Sequence, residues 1–212
     1  GLGDVYKRQV PKMTTGNRPA DGGNLIIESS DYDDFIKQEP GAKKYIKRLM
    51  GAKEYINNQK RYCLWLVGIS PAELRKMPFV LERVEACRQD RLNGAEDRQK
   101  LADTPTLFRE LKNPLTYIIV PRHSSENRRY IPMGFLDNTF IPADSATIIP
   151  EATLFHFGII MSNVHMAWVR TVCGRIKSDY RYSKDIVYNN FPWPTPTDEQ
   201  KAKIEETAQA IL

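Results

Sequence analysis

The sequence predicts an α+β fold in which a small, bent, mostly antiparallel sheet carries several flanking helices. Three observations predict it. Before Asn113-Pro114, apolar residues recur mainly at helical spacing around one short apolar run. After it, the period changes to short β-branched and aromatic runs. Pro121, Pro132, Pro142 and Pro150 punctuate those runs, as edge or bent strands allow and central strands do not. A chain of this length can hold one large domain or two small ones with cores of their own.

Val10 to Asn24, rich in Gly, Pro, Thr and Asn, reads as a loop turned by Asp21-Gly22-Gly23 and feeding a strand over Leu25 to Glu28. Tyr32 to Gln38 and Ala42 to Met50 are expected helices, separated by the breaker Pro40-Gly41. Asn57-Asn58 is a turn before Arg61 to Ile69, whose run Tyr62 to Val67 reads as a buried strand. Ser70 is the expected N-cap of a helix, with Pro71 at its first position and Glu73 three residues on. Past Pro78, the apolar Phe79, Val80, Val84 and Cys87 recur at helical spacing, and Glu82, Glu85, Gln89 and Asp90 take the opposite side.

Beyond Asn113-Pro114, Tyr117 to Val120, Tyr130 to Leu136 and Thr139 to Ile149 are the strand-like runs. Glu151 to about Cys173 reads as a helix with Leu154, Phe157, Met161, Val164 and Trp168 on one stripe, stopped by Gly174. Tyr180 to Asn189 is expected to be extended and Phe191-Pro192-Trp193-Pro194 rigid. Thr197 then caps a last helix with Gln200 as its box partner.

Composition narrows the class. The net charge of +5 permits an anionic partner without demanding one. Three widely spaced cysteines, Cys63, Cys87 and Cys173, make neither a disulfide framework nor a Cys-x-x-Cys metal site, and suit buried thiols in a cytoplasmic protein. The most apolar stretch, Leu154 to Val169, is too short and too polar to cross a bilayer. Residues 1–9 are set aside, because Asp4 to Gln9 read back through codons as GAT GTG TAT AAG AGA CAG, which resembles the end of a transposase adaptor. On that reading the gene is truncated upstream.

Catalytic chemistry finds little support. His123, His156 and His165 have no partners at metal-ligand spacing, and the last two suit packing or capping on a helix. Ser124-Ser125 lacks the glycine frame of a nucleophile elbow, and no Walker or Gly-x-Gly-x-x-Gly loop occurs. Asp31, Asp33 and Asp34 suit the start of a helix better than a metal. No catalytic and no metal-binding residue is therefore assigned.

Two segments instead concentrate positive charge among aromatic and small polar residues. In the first, Arg122, Arg128 and Arg129 bring planar donor forks that pair with phosphate or a guanine edge. Ser124 and Ser125 suit phosphate oxygens, and Glu126 suits a cytosine amino group or an arginine. In the second, Arg175 and Lys177 precede Arg181, which is interleaved between Tyr180 and Tyr182, a pattern that fits a DNA backbone cradle. By composition either segment also fits a plain surface loop. Arg75, Lys76, Arg83, Arg88, Arg91 and Arg98 read first as a solvated helix face and only second as nucleic-acid contacts.

Several blocks also carry a family resemblance. Val10 to Leu25, Arg61 to Trp65, Val120 to Pro132 and above all His165 to Pro194, with Gly174-Arg-Ile-Lys-Ser-Asp-Tyr-Arg-Tyr-Ser183 and Tyr188-Asn-Asn-Phe-Pro-Trp-Pro194, resemble the target-recognition and C-terminal regions of MmeI-like, type IIL restriction-modification enzymes. The resemblance implies a parent DNA adenine-N6 methyltransferase using S-adenosylmethionine, whose cofactor loop and Asn-Pro-Pro-Tyr motif lie upstream of this chain. It implies 10–28 as the seam with that catalytic domain, 29–194 as the recognition domain and 195–212 as the start of a C-terminal helical region. The loop from Gly16 to Gly23 serves either that seam or a purely structural crossing. The implied partners are double-stranded DNA and the upstream catalytic domain. Base edges are read in the major groove while the catalytic domain extrudes the adenine. A stand-alone DNA-binding specificity subunit acting with a separate methylase is the alternative.

Overall fold

The computed structural model describes residues 11–124, 132–162, 165–166, 174–176, 179–181, 184, 188 and 191–212, with 123–124, 174–176 and 179–181 described through their backbone pairing. In chain order the elements are β1 (Thr14–Thr15), β2 (Ile26–Glu28), α1 (Ser29–Gln38), a 3-10 segment (Pro40–Tyr45), β3 (Ile46–Met50), α2 (Ala52–Ile56), β4 (Arg61–Leu64), α3 (Pro71–Arg75), α4 (Pro78–Leu92) and α5 (Glu96–Gln99). After these come β5 (Thr116–Pro121), β6 (His123–Ser124), β7 (Gly134–Asp137), β8 (Phe140–Pro142), β9 (Ala146–Pro150), α6 (Leu154–Ile160), β10 (Gly174–Ile176), β11 (Asp179–Arg181) and α7 (Asp198–Ile211). They divide into two compact units. Unit one takes the described residues of Gly1–Thr15, Pro114–Asn138 and Ser145–Leu212, and unit two takes Gly16–Asn113 with Thr139–Asp144.

Unit two is built on a sheet of order β2-β4-β3-β8, antiparallel except for the parallel β3–β8 pair. Period-two alternation sends its side chains into two cores. Ile26 and its cross-strand partner Cys63 join Leu49, Trp65, Phe108 and Ile141 on one side. Ile27 and Leu64 join Phe35, Leu66, Met77, Val80 and Val84 on the other. The expected helix over Ala42 to Met50 is not present. The chain makes the 3-10 segment and then β3, which lies between β4 and β8. The strand read as Arg61 to Ile69 stops at Leu64, although Trp65 and Leu66 remain buried, and the chain turns at Gly68 with φ +81°. The cap at Ser70 is as expected, its Oγ accepting from Glu73 N–H at 3.1 Å. On α4, Val80, Val84 and Cys87 are buried but Phe79 is 42% exposed, and Arg91 completes the inward face.

Unit one carries two antiparallel sheets, of order β1-β9-β5-β7 and β10-β11-β6. Its core gathers Ile118, Val120, Met133, Ile149, Phe157, Ile160, Met166 and Tyr188. The run Thr139 to Ile149 divides: β9 pairs with β5, whereas β8 joins the sheet of unit two. One small sheet was expected, and the strands are shared among three.

The expected helix from Glu151 starts instead at Leu154. Glu151 has φ +55°, and Thr153 forms the cap, its Oγ1 accepting from His156 N–H while its own N–H donates to His156 Nδ1 at 3.0 Å. The helix ends at Ile160, with Met161 as its C-cap. His165 and Met166 are helical, and Val164 and Trp168 lie outside the described residues. Gly174, expected to stop that helix, opens β10. The extended reading of Tyr180 to Asn189 holds through Arg181, whereas Lys184 and Tyr188 are helical. Helix α7 starts at the predicted Thr197–Gln200 box. It packs on α6 at Gly158, where a Cβ would lie 2.7 Å from Ile204 Cγ2.

His165, fully buried and edge-on to Phe191 at 4.4 Å between ring centroids, gives unit one an acid sensitivity. Burial pushes its imidazole down from the ordinary 6.5 to about 4. The unfolded chain therefore takes up a proton below about 6.5 that the folded unit refuses until about pH 4. Stability is full above pH 6.5 and falls as pH drops through that window, by about 3 kcal/mol at its acid end. Denaturant melts of the chain and of His165→Phe between pH 7 and 4 check this, and the variant is expected to lose less stability over that range.

Candidate nucleic-acid interface

The second sheet of unit one joins two segments that are far apart in sequence. β5 is buried from Tyr117 to Pro121 and held on both sides, by β9 and β7. Thr147 Oγ1 also donates to Val120 O at 3.0 Å. The strand thus forms a stiff root for β6. One residue, the half-buried Arg122, separates the two strands. β6 then pairs with β11, Ser124 opposite Tyr180 and His123 opposite Arg181, and β11 pairs with β10, Tyr180 opposite Arg175 and Arg181 opposite Gly174.

Both predicted basic segments therefore enter one three-stranded sheet. Ser124, Tyr180 and Arg175 share one cross-strand row, and His123, Arg181 and Gly174 share the next. Successive rows of a pleated sheet belong to opposite faces. Ile176 and Asp179 are directly opposite each other, with Lys177 and Ser178 between them in the chain. Of the residues expected at a DNA face, Arg122, Ser124, Arg175 and Arg181 are thus placed by backbone. Ser125, Glu126, Arg128, Arg129 and Lys177 lie outside the described residues.

A family model described as "MmeI, target recognition domain" matches residues 5–195. The chain belongs to the MmeI target-recognition-domain family. It is 40% identical over 205 residues to DNA methyltransferase A of Bacillus subtilis (strain 168), covering 96% of this chain and 23% of that protein. It also matches the solved structure of the type IIL restriction-modification enzyme MmeI in complex with DNA, with a TM-score of 0.89 and 41% identity over 95% of this chain and 27% of that one. The chain therefore spans about a quarter of the length of each relative.

Within this MmeI-family domain the end of the block richest in resemblance, at Tyr188, Phe191 and Trp193, belongs to the core of unit one. Tyr188 and Phe191 each pack edge-on against Trp193 with centroids 5.6 Å apart, and Trp193 meets His156 at 5.7 Å. Tyr188 donates its hydroxyl to Pro11 O at 2.6 Å, and burial raises its pKa. His156 and His165 are the capping and packing residues that their spacing suggested. Among the described residues no group of three His, Cys, Asp or Glu is placed to hold a metal ion, and no helix is long and apolar enough to cross a membrane.

Sequence reasoning passed over Arg91. Read as part of a solvated basic face, it is fully buried and donates to five carbonyls, of Pro19, Ala20, Leu101, Thr104 and Leu107, at 2.5–3.1 Å. The signal was its spacing: Arg91 falls four residues after Cys87, on the apolar face of α4. Other cations of that group are also committed. Arg83 donates to Asn24 O and Ile26 O and lies over the Phe35 ring. Arg88 pairs with Glu85, whose carboxyl it holds down at about 2, and Arg98 pairs with Asp90.

Proposed function

We propose that this chain is the part of a restriction-modification DNA adenine-N6 methyltransferase that recognises the target sequence on double-stranded DNA. In this reading the connection from Arg122 through Ser124, Ser125, Glu126, Arg128 and Arg129 faces base edges and phosphates, and Arg175, Lys177 and Arg181 grip phosphates, with Arg175 in the cross-strand row of Ser124 and Arg181 in the next row, so that the two reach the backbone from opposite faces of the narrow sheet. The observation that carries the reading is the pairing of the two basic segments through Ser124–Tyr180 and His123–Arg181, in a chain of the MmeI target-recognition family. A stand-alone specificity subunit is not favoured, because both relatives carry the matching segment within a much longer polypeptide.

The methyl donor belongs elsewhere in that polypeptide. Among the described residues, Gly22, Gly23 and Gly68 serve turns at positive φ, Gly16 backs onto the Ala143 carbonyl and Gly158 makes room for Ile204, so none of these glycines frames a cofactor loop. The proposed partner of this domain is accordingly an upstream methyltransferase catalytic domain, which supplies the cofactor and the chemistry on the extruded adenine.

The test is a salt titration of duplex binding. Log affinity is expected to fall linearly with log salt, and Lys177→Gln or Arg181→Gln to flatten the slope by about one unit each. Slopes unchanged by both substitutions would remove these residues from the DNA face.

A further inference from the structure

Most arginines of unit two are settled by a partner within it. Arg18 pairs with Glu110, Arg61 with Glu28, Arg88 with Glu85, Arg98 with Asp90 and Arg109 with Asp97, while Arg83 and Arg91 donate to backbone carbonyls. Arg48 is half-buried like several of these, yet its side chain makes no hydrogen bond or ion pair with any described residue. The sheet register explains why. β3 lies between β4 and β8, and Arg48 stands directly opposite Tyr62 on one side and Phe140 on the other. Residues two along in each strand share its face of the pleat. These are Ile46 and Met50 on β3, Leu64 on β4 and Pro142 on β8, none of which carries a charge. The guanidinium is left between two rings, with Cζ 6.0 Å from the Tyr62 centroid and 5.5 Å from that of Phe140. Tyr62 is itself stacked on Tyr32, with centroids 4.0 Å apart. Of the guanidinium nitrogens only Nε is both enclosed and unpaired, so the terminal pair reaches solvent.

A half-buried cation loses part of its hydration, and the ring faces return some of that loss through their attraction for positive charge. Rings accept no conventional hydrogen bond, so the N–H donors at the guanidinium edge stay unmet. A planar fork with open donors fits the paired oxygens of an oxyanion. We infer that Arg48, held in this aromatic slot on the sheet of unit two, contacts a backbone phosphate of duplex DNA. The inference rests on the reading of this chain as a DNA-recognition domain. A carboxylate would fit the same fork; the choice of phosphate follows from that reading. The slot also restrains the fork before the ligand arrives, so less side-chain freedom is lost on contact than at a solvated lysine. Phosphates are alike at every base pair, and the contact therefore positions the duplex without reading its sequence.

The test is duplex binding by the 212-residue chain carrying Arg48→Met, titrated with salt and accompanied by a thermal melt. Methionine keeps an apolar stem between the rings and removes the cation. The slope of log affinity against log salt is expected to be shallower by about 0.9, with weaker binding at low salt. The sequence enriched from a random pool is expected to stay the same, and so is the melting temperature, because the fold loses no hydrogen bond or ion pair. Arg48→Lys is expected to keep the slope and recover only part of the affinity, since a point charge replaces the fork. Unchanged slope and affinity in Arg48→Met overturn the inference. With a lowered melting temperature that result makes Arg48 a filler of the slot, and with an unchanged one it makes its partner a carboxylate or water. In both cases binding by the unsubstituted chain leaves the proposed function standing. Should Arg48→Met fail to fold, Arg48→Lys decides, because affinity equal to that of the unsubstituted chain at every salt would deny the fork. Absence of duplex binding by the unsubstituted chain overturns both readings.

Discussion

Replacing Arg91 with methionine is expected to destabilise unit two by about 3–5 kcal/mol, the range typical of breaking a buried polar network. Methionine keeps an apolar stem in the cavity and removes all five donors. The carbonyls of Pro19, Ala20, Leu101, Thr104 and Leu107 would then be left without their guanidinium partner. A buried acceptor left unpaired costs about 1–3 kcal/mol, and the total is less than five such costs because loops relax and admit water. Lysine should recover part of the loss and no more, since three donors on a flexible stem cannot reproduce a five-donor planar fork. Urea unfolding measures the loss, and limited proteolysis locates it, with new cleavage expected at 17–24 and 101–108. A loss under 1 kcal/mol would mean that water satisfies these carbonyls as well as Arg91 does.

The second large effect is expected at Gly16. A Cβ there would lie well inside van der Waals contact of the Ala143 carbonyl oxygen, a backbone atom that cannot swing aside. The close approach exists because Asn17 N–H donates to Pro142 O at 2.8 Å, while the Asn17 side chain donates to Pro142 O and Lys112 O and accepts from Lys112 N–H. This fully buried asparagine joins three chain segments of unit two, and any side chain at Gly16 pushes them apart. Gly16→Ala is expected to cost about 1–3 kcal/mol and Gly16→Val more. Thermal melts of the two variants check the order, and equal stability of Gly16→Ala and the unsubstituted chain would deny the close contact.

Elements whose signals are local were legible in the sequence. The caps at Ser70 and Thr197 are read from residues three apart; the chain closes both bonds of the box at Thr197, whereas at Ser70 only the Oγ accepts from Glu73 N–H and the Glu73 carboxylate turns to Lys44 and Tyr45. β3 was not legible. Ala42, Tyr45, Ile46 and Leu49 repeat at i, i+3, i+4 and i+7, which is a helical stripe, yet the half-buried Ile46 and the buried Leu49 pack into cores on opposite faces of a sheet. Only β4 and β8, neither of them adjacent in sequence, decide that outcome. The candidate interface divides the same way. Charge and aromatic interleaving marked the two segments, whereas their union depends on the pairing of Ser124 with Tyr180, which no local pattern encodes. Arg91 was misread for a related reason: a basic residue was assigned to solvent by type, when its position on the helix put it in the core.

The central claim, that this chain reads DNA sequence, is tested most directly by incubating the purified 212-residue protein with a pool of random duplexes at two salt concentrations and sequencing the DNA it retains. The account predicts retention that weakens at the higher salt and a short sequence shared by the retained duplexes. No retention at either salt, or retention without any shared sequence, would contradict recognition by this chain.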